Sequence, residues 1–475
     1  MTTTADLPVP VPELEDRALA CATRLRDASE VLLVSHIDAD GLTSAAIAAR
    51  ALERAGIPFE TAFENQLDAD AITAIAATGH DTVLFTDFGS GQLDLITEHK
   101  NTFTPVIADH HQPADAETEY HLNPLLVGID GASELSGAGA SYTLARALET
   151  NDTDNRDLAA LAVVGAVGDM QDTDGELTGA NRAIVAEGIE AGVLEEQSDL
   201  ALYGRQTRPL PKLLEYSNAV YIPGITNDQR GSVELLSGLA IDLKQDGEWR
   251  TWVDLSGEER QTVVSALVEC ALKRGVGPDS IEDLVATTYT LVAEPAGTEL
   301  RDASEFSTLL NATARYDRAD VGLAVCLGNR DAALDRARTL LETHRRNISE
   351  GLQLVKTEGV TTETHIQWFD AGTRIRETIV GIVAGMALGA ENVDRGRPIV
   401  AFAEKSETET KVSARGSHAL VDRGLDLSVV MQRASSAVGG DGGGHDVAAG
   451  ATIPIGQQAA FIKHADRIVS DQLDS

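Results

Sequence analysis

Cysteine is scarce in this chain. Cys21, Cys270 and Cys326 are its three, widely separated and with no CxxC pair. A disulfide framework or a structural zinc site is therefore not expected. Long apolar runs are missing too, and none reaches the ~18 residues that a membrane span needs. The N-terminal MTTTADLPVPVPELEDRALA lacks the basic head and apolar stretch of an export signal. No membrane contact is expected, and the cytoplasm is the expected location. Gly and Pro are not in excess and apolar residues reach 43%, which describes a globular protein. A length of 475 residues suits two or three domains.

Basic residues are the other shortage. Lys and Arg number 38, only eight of them Lys, against 75 Asp and Glu, for a net charge of −37. Proteins that hold nucleic acid are ordinarily basic. Two readings compete: an acidic surface around a small buried substrate, or adaptation to a cytoplasm of very high salt, where the screening length falls to ~3 Å. The acid is spread along the chain and is not gathered in a tail, which favours the second. Two stretches escape the imbalance. Residues 371–445 hold nine basic and nine acidic residues, and residues 203–230 set Arg205, Arg208, Lys212 and Arg230 against Glu215 and Asp228. An anionic ligand is welcome at both.

Hydrophobic periodicity supplies the outline. VLLVS (31–35), PFETAF (58–63), DTVLFTDF (81–88) and PVIADHH (105–111) read as strands. Helical spacing over 42–56, 136–149 and 158–170 alternates with them, which predicts a mainly parallel sheet with helices on both faces. Residues 196–344 are mixed, with helical patterns around 231–275. From about 345 a second, smaller α/β unit begins, with strands at 365–370, 398–405 and 408–415. The expected division is 1–195, 196–344 and 345–475.

The acidic residues of the first unit are not placed at random. His36, Asp38 and Asp40 follow the first strand, Asp87 ends a later one, and Asp109, His110 and His111 end the next. Loops beyond the carboxyl ends of neighbouring parallel strands converge on one crevice. Carboxylates gathered there repel one another unless cations intervene, and mixed carboxylate and imidazole donors point to Mn²⁺ ahead of Mg²⁺. Each piece alone has a plainer reading: DxDG as a turn, Asp87 as a helix cap, Asp169 as a solvated charge. Their joint placement argues for a site.

The order of these motifs resembles the DHH superfamily of phosphoesterases. VLLVSHIDADGLTSAA is similar to its first motif, LFTDFGS to its second, VIADHHQP to its third and AVVGAVGDMQD to its fourth. KVSARGSHALVDRGLDLSVVMQRASSAVGGDGGGH resembles the accessory DHHA1 domain. The resemblance implies that His36 and Asp38 bind one divalent ion, that Asp40, His110 and Asp169 bind another, and that Asp87 bridges them. A hydroxide activated by two metals would then attack phosphorus in line. It also implies that Asp109 orients a neighbouring ligand, and that His111 faces the scissile phosphate as donor or leaving-group acid. Ser413, Arg415, Gly442, Gly443, Gly444 and His445 would hold substrate. Glycines there admit backbone N–H groups to a phosphate, and Arg suits bidentate recognition.

The middle segment, with YGRQTRPLPKLLEYS, YIPGI and ASEFSTLLNATARYDRADVGLAVCLG, is similar to archaeal RecJ-like exonucleases, the group that includes the GINS-associated nuclease. That resemblance implies hydrolysis of single-stranded DNA or RNA and admits a GINS-like replication partner. A small-substrate enzyme of the superfamily, acting on oligoribonucleotides, cyclic dinucleotides or adenosine bisphosphate, is the first alternative; such proteins generally lack an insertion like 196–340. A manganese pyrophosphatase would have wider spacing in the first motif and no GGGH. A replication scaffold with little catalysis, like the eukaryotic relative that has lost ligands, is the second alternative, and here every expected ligand is present.

Overall fold

VLLV is apolar and β-branched, and His36 starts a polar turn, so a short buried strand forms and stops there. In the computed structural model this strand is β1 (Val31–His36). The structure describes residues 9–172, 175–217, 220–388, 390 and 393–473. The chain divides into two compact units, Met1–Arg338 and Thr339–Ser475.

The first unit is built on five parallel strands. β1 pairs with β2 (Phe59–Glu64) on one side and β3 (Thr82–Thr86) on the other, and β4 (Thr104–Ala108) and β5 (Tyr120–Leu122) complete the order β2-β1-β3-β4-β5. β3 is buried throughout, and β1 and β4 at all but one residue each, as strands covered on both faces must be. Alternation assigns their side chains to two cores. Leu32, Val34, Val83, Phe85 and Ile107 pack with Ile72 of α3 (Ala69–Ala76) and Leu93 and Ile96 of α4 (Leu93–Glu98). Val31, Leu33, Leu84, Val106 and Ala108 pack with α1 (Glu15–Arg26), α2 (Ala39–Arg54), α5 (Gly137–Ala147) and α6 (Ala159–Gly168). The expected parallel sheet with helices on both faces is therefore present. The helix expected from residue 42 starts at Ala39, because Asp38 accepts the Gly41 N–H at 3.0 Å and caps it.

Beyond α7 (Gly179–Glu190), β6 (Leu194–Leu200) pairs antiparallel with β9 (Val285–Leu291). Between them lie α8 (Leu210–Glu215), α9 (Gln229–Ser237), the hairpin β7 (Lys244–Gln245) and β8 (Glu248–Trp249), α10 (Gly257–Lys273) and α11 (Pro278–Glu282). They share a separate core of Leu210, Leu213, Leu214, Ile222, Trp252 and Leu267. The chain then returns, and α12 (Ala303–Ala314) and α13 (Ala319–Cys326) pack on α2. Enclosed by α5, α6 and α12, α2 is buried along nearly its whole length.

The long helix α14 (Ala332–Glu358) begins in the first unit and continues into the second. The second unit holds a mixed six-stranded sheet: β10 (Thr361–Thr362), β11 (Gln367–Asp370), β12 (Ile399–Glu404), β13 (Glu409–Arg415), β15 (Ala448–Pro454) and, at the edge, β14 (Asp441–Gly444). Only β11 and β12 pair in parallel. Ile399, Ala401 and Ala403 face Val380, Val383 and Ala384 of α15 (Val380–Ala387). On the other face Val400, Phe402, Val412 and Ala414 meet Met431 of α16 (Leu427–Ser436) and Phe461 of α17 (Gln458–Leu473). Asp441 and the three glycines after it in GGDGGGH make the edge strand. Gly444 ends it at φ 138°, where an L side chain would be strained. Among the described residues no helix is long and apolar enough to cross a membrane.

Candidate metal centre

The sheet order reverses between β1 and β3, so the loops after these strands open a crevice at their carboxyl ends. β1 delivers His36, and the capped start of α2 delivers Asp38 and Asp40. Asp87 follows β3 at φ 61°, a left-handed backbone that Asp tolerates better than most residues and that marks local strain. Asp109, His110 and His111 follow β4, and Asp169 caps the C-terminus of α6.

The structure brings these side chains together in two overlapping groups. His36 Nδ1 lies 3.1 Å from Asp38 Oδ2 and 3.5 Å from Asp87 Oδ2. His110 lies 3.3 Å from Asp87 Oδ1, 3.8 Å from Asp40 Oδ2 and 3.8 Å from Asp169 Oδ2. Donor atoms of His36, Asp38 and Asp87 fall within 4.8 Å of one another, as do those of Asp40, His110 and Asp169. Asp87 is 2% exposed and touches both groups.

Two buried atoms carry the test for a cation. Asp87 Oδ1 and His110 Nε2 lie 3.3 Å apart in an orientation that makes no hydrogen bond, and neither has a hydrogen-bond partner elsewhere. Such atoms are expensive to leave unsatisfied. A ring of one orphaned carboxylate oxygen, one orphaned imidazole nitrogen and three further carboxylates matches the hard and borderline donors of Mn²⁺ or Mg²⁺. The residues present therefore fit divalent cations.

The charges agree. Burial, with repulsion from Asp87 and Asp169, pushes Asp40 well above the usual carboxylate range. Burial likewise lifts Asp169 to about 6 against the opposing charge of His110. Burial would raise Asp87 as well, but the imidazoles of His110 and His36 reverse this and hold it below the usual range. Burial opposes protonation of the two histidines, yet their carboxylate neighbours, Asp38 and Asp87 for His36 and Asp87 foremost for His110, raise both to about 11. Without cations, imidazolium supplies the countercharge.

Around the ring a second set of bonds fixes orientation. His110 Nδ1–H donates to the Gly131 carbonyl at 2.6 Å, which leaves Nε2 facing the carboxylates. A Cβ on Gly131 would stand 2.0 Å from the His110 carbonyl oxygen, so only glycine fits. Gln171 donates to Asp169 Oδ2 at 2.9 Å and to Gly131 O at 2.8 Å, and accepts from Asn181. Asp109 is wholly buried. It accepts from Ser90 N, His110 N, His111 N and His111 Nδ1, so its oxygens brace the loop. His111 is 56% exposed at its side chain, and the bond from Nδ1 to Asp109 raises its pKa.

Sequence reasoning did not assign a role to the start of α5. Ser136 caps that helix, and the Gly137 and Ala138 N–H groups donate to Asp40 Oδ2 and Oδ1 at 2.7 and 2.9 Å. The helix dipole adds to this hold. A Cβ on Gly137 would stand 2.4 Å from Asp87 Oδ1, so the same glycine also makes room for Asp87. The small residues of SGAGAS were the available signal. Gln171 lay inside a quoted motif and its contact could not be read from spacing.

The expected substrate residues lie together in the second unit. Ser413 on β13 is in register with Gly450 on β15, which is in register with Gly443 on β14. Arg415, two residues on, runs beneath α15, where a Cβ on Gly381 would stand 2.7 Å from its Nη2 and 3.1 Å from Ser413 Oγ. His445 is exposed, and its N–H donates to Ala448 O at 2.9 Å.

Comparison with known proteins places domain names on these parts. Residues 30–166 match the DHH family, N-terminal domain; residues 202–285 match the DHH-CID domain; residues 365–471 match the DHHA1 domain. The uncharacterized protein MJ0831 of Methanocaldococcus jannaschii is 29% identical over 451 residues, 93% of this chain and 94% of its own. Among solved structures, RecJ of Thermus thermophilus in complex with Mn²⁺ matches with a TM-score of 0.59 at 18% identity, over 98% of this chain and 56% of that one. CDC45 of Entamoeba histolytica matches with a TM-score of 0.65 at 12% identity, over 96% and 99%. At such identities the likeness is one of fold. The chain spans little more than half of the Thermus protein. The matches give the chain DHH, DHH-CID and DHHA1 domains in that order, in a fold like that of the RecJ structure.

Proposed function

With DHH, DHH-CID and DHHA1 domains in succession as the premise, we propose that this chain is a divalent-metal-dependent phosphodiesterase that degrades single-stranded DNA or RNA from an end. The observation that carries the reading is the unpartnered pair of Asp87 Oδ1 and His110 Nε2 inside a ring of carboxylates. A replication scaffold without catalysis would have no need of such a ring.

His36 and Asp38 hold one cation in this reading, Asp40, His110 and Asp169 hold the other, and Asp87 serves both. When bound, the cations neutralise the phosphate and make an attacking hydroxide available near neutral pH. Asp109 holds His111 by its Nδ1–H, at 2.8 Å, and the carboxylate favours the charged form of the ring. That leaves Nε2–H of His111 to stabilise the phosphorane-like transition state or to protonate the leaving oxygen. Asp109 itself stays ionised: burial opposes this, but His111 outweighs it and holds the carboxyl at about 2. In the second unit Arg415, Ser413, the Gly442–Gly444 backbone and His445 grip phosphates of the strand, which a −37 chain could not attract by net charge alone. A GINS-like replication partner and a high-salt cytoplasm belong to the same reading.

The test is digestion of end-labelled DNA and RNA strands with Mn²⁺, resolved by product length. Ladders shortening from one end are expected from the wild type and none from Asp87→Ala, whose circular dichroism should stay native. Near-wild-type turnover by folded Asp87→Ala would refute the assignment.

A further inference from the structure

We propose that Tyr203, Arg208, Lys212 and Tyr216 form a second contact for the strand, a platform on which a nucleobase stacks beside two cations. The proposal rests on the nuclease reading above, and it concerns residues that the metal centre does not use. In a chain of −37, residues 203–230 carry four cations against two anions. Two of those cations are arranged around rings.

The Arg208 guanidinium carbon lies 4.6 Å from the Tyr203 ring centroid and 5.3 Å from that of Tyr216. Lys212 Nζ lies 5.0 Å from the Tyr216 ring and is held there by Glu215 at 2.8 Å. The backbone is shaped to this ladder. Gly204 sits at φ 101°, and a Cβ on it would stand 2.4 Å from Arg208 Cδ and 2.6 Å from Cγ. A side chain at 204 would therefore push Arg208 off the rings.

Tyr216 is 48% exposed, so about half of a residue flanked by two cations meets solvent. Cation–π pairs order these side chains in advance, which lowers the entropy lost on binding. The ligand that such a surface fits has a π face and a negative charge close together. Single-stranded nucleic acid has both at every residue, and stacking tolerates any base. An acidic peptide would satisfy the cations and leave the ring uncovered. Stacking is also insensitive to the salt that screens long-range attraction. Tyr221, 54% exposed and five residues further along the chain, is the next ring available.

The experiment uses the full chain and a labelled 20-nucleotide strand, with EDTA present to stop hydrolysis and anisotropy as the readout. Tyr216→Ala should raise Kd roughly tenfold, within the range that stacking on one base supports. Arg208→Ala should do the same, while Tyr216→Phe should stay within twofold. Lys212→Gln should flatten the dependence of log K on log salt by about 0.7, the loss of one phosphate contact on a single strand. Tyr216→Ala should leave that slope unchanged. Unaltered strand affinity in both alanine variants, or no strand binding by the wild type, overturns the platform. Loss of affinity for an acidic peptide alone would make it a protein dock and overturn it equally. Digestion of the end-labelled strand by the wild type with Mn²⁺ is measured separately: its absence counts against the nuclease reading, and the EDTA binding series still judges the platform.

Discussion

Gly137→Ala offers the most searching test of how the centre is held. The added Cβ would stand 2.4 Å from Asp87 Oδ1 and 2.9 Å from Asp87 Cα, where ordinary contacts begin at 3.4 Å. The start of α5 must therefore retreat by about 1 Å, since the backbone of Asp87 cannot yield, and overpacking of this kind is destabilising. A retreat of that size stretches the 2.7 Å bond from Gly137 N to Asp40 beyond hydrogen-bonding range. The neighbouring 2.9 Å bond from Ala138 N weakens with it. Bonds to a buried charge contribute about 1.5–3 kcal/mol each. Ala in place of Gly returns up to ~1 kcal/mol through the unfolded chain. The net loss is thus about 2–4 kcal/mol in the first unit.

Thermal unfolding followed by tryptophan fluorescence in a Trp368→Phe background reports on that unit, because Trp249 and Trp252 then remain. Calorimetric titration with Mn²⁺ reports on the displaced Asp40, where a 10–100-fold weaker affinity is expected, as for other residues that orient a ligand. Gly257→Ala is the matched control. Gly257 also opens a helix after a serine cap, and nothing lies within 4 Å of its would-be Cβ, so it should be neutral or stabilising. Unchanged stability and unchanged Mn²⁺ affinity in Gly137→Ala would refute the reasoning.

Three further outcomes follow from other parts of the molecule. His445→Ala and Arg415→Ala should raise KM and slow turnover, since a misplaced phosphate loses alignment, with bound manganese unchanged by elemental analysis; loss of the metal would reassign these residues. Burial pushes Glu305 up to about 7, Asp302 adding to the rise while the Thr207 hydroxyl and Gln206 N–H oppose it. A native carboxyl that keeps its proton longer than the unfolded chain stabilises most below pH ~4.5, and loses up to about 3 kcal/mol of that as pH rises to 7. Glu305→Gln should flatten the stability profile across that window, and an unaltered slope in chemical denaturation would sink the idea. Finally, hydrolysis should climb from low salt towards molar KCl and then level off, because salt screens the repulsion between a −37 surface and the strand. An optimum near 50 mM, with steep loss by 500 mM in a folded protein, would contradict adaptation to high salt.

Much of the fold was legible from periodicity. VLLVS, DTVLFTDF and PVIADHH are short apolar runs ended by polar residues, and each became a buried parallel strand within a few residues of the expected bounds. Parallel strands are covered on both faces, so their sequence is apolar throughout and easy to see. The same regularity showed where strand ends would deliver acids and histidines. The segment from 196 was less legible because its pairing is distant: β6 finds β9 some ninety residues later, and spacing within either strand says nothing of its partner. The return of α12 and α13 onto α2 is hidden for the same reason.

Local pattern placed His36, Asp38, Asp40, Asp87 and His110 at strand ends, and the resemblance in motif order singled them out, with Asp169, as candidate donors. Tertiary structure alone decided how each is held. Asp87 is turned inward by a left-handed backbone, and His110 is fixed by a carbonyl at Gly131, twenty-one residues on. Asp40 is pinned by two N–H groups nearly a hundred residues away. Hydrogen bonds act over 3 Å of space whatever the distance along the chain, so the braces of a centre are settled only when the chain has closed upon itself.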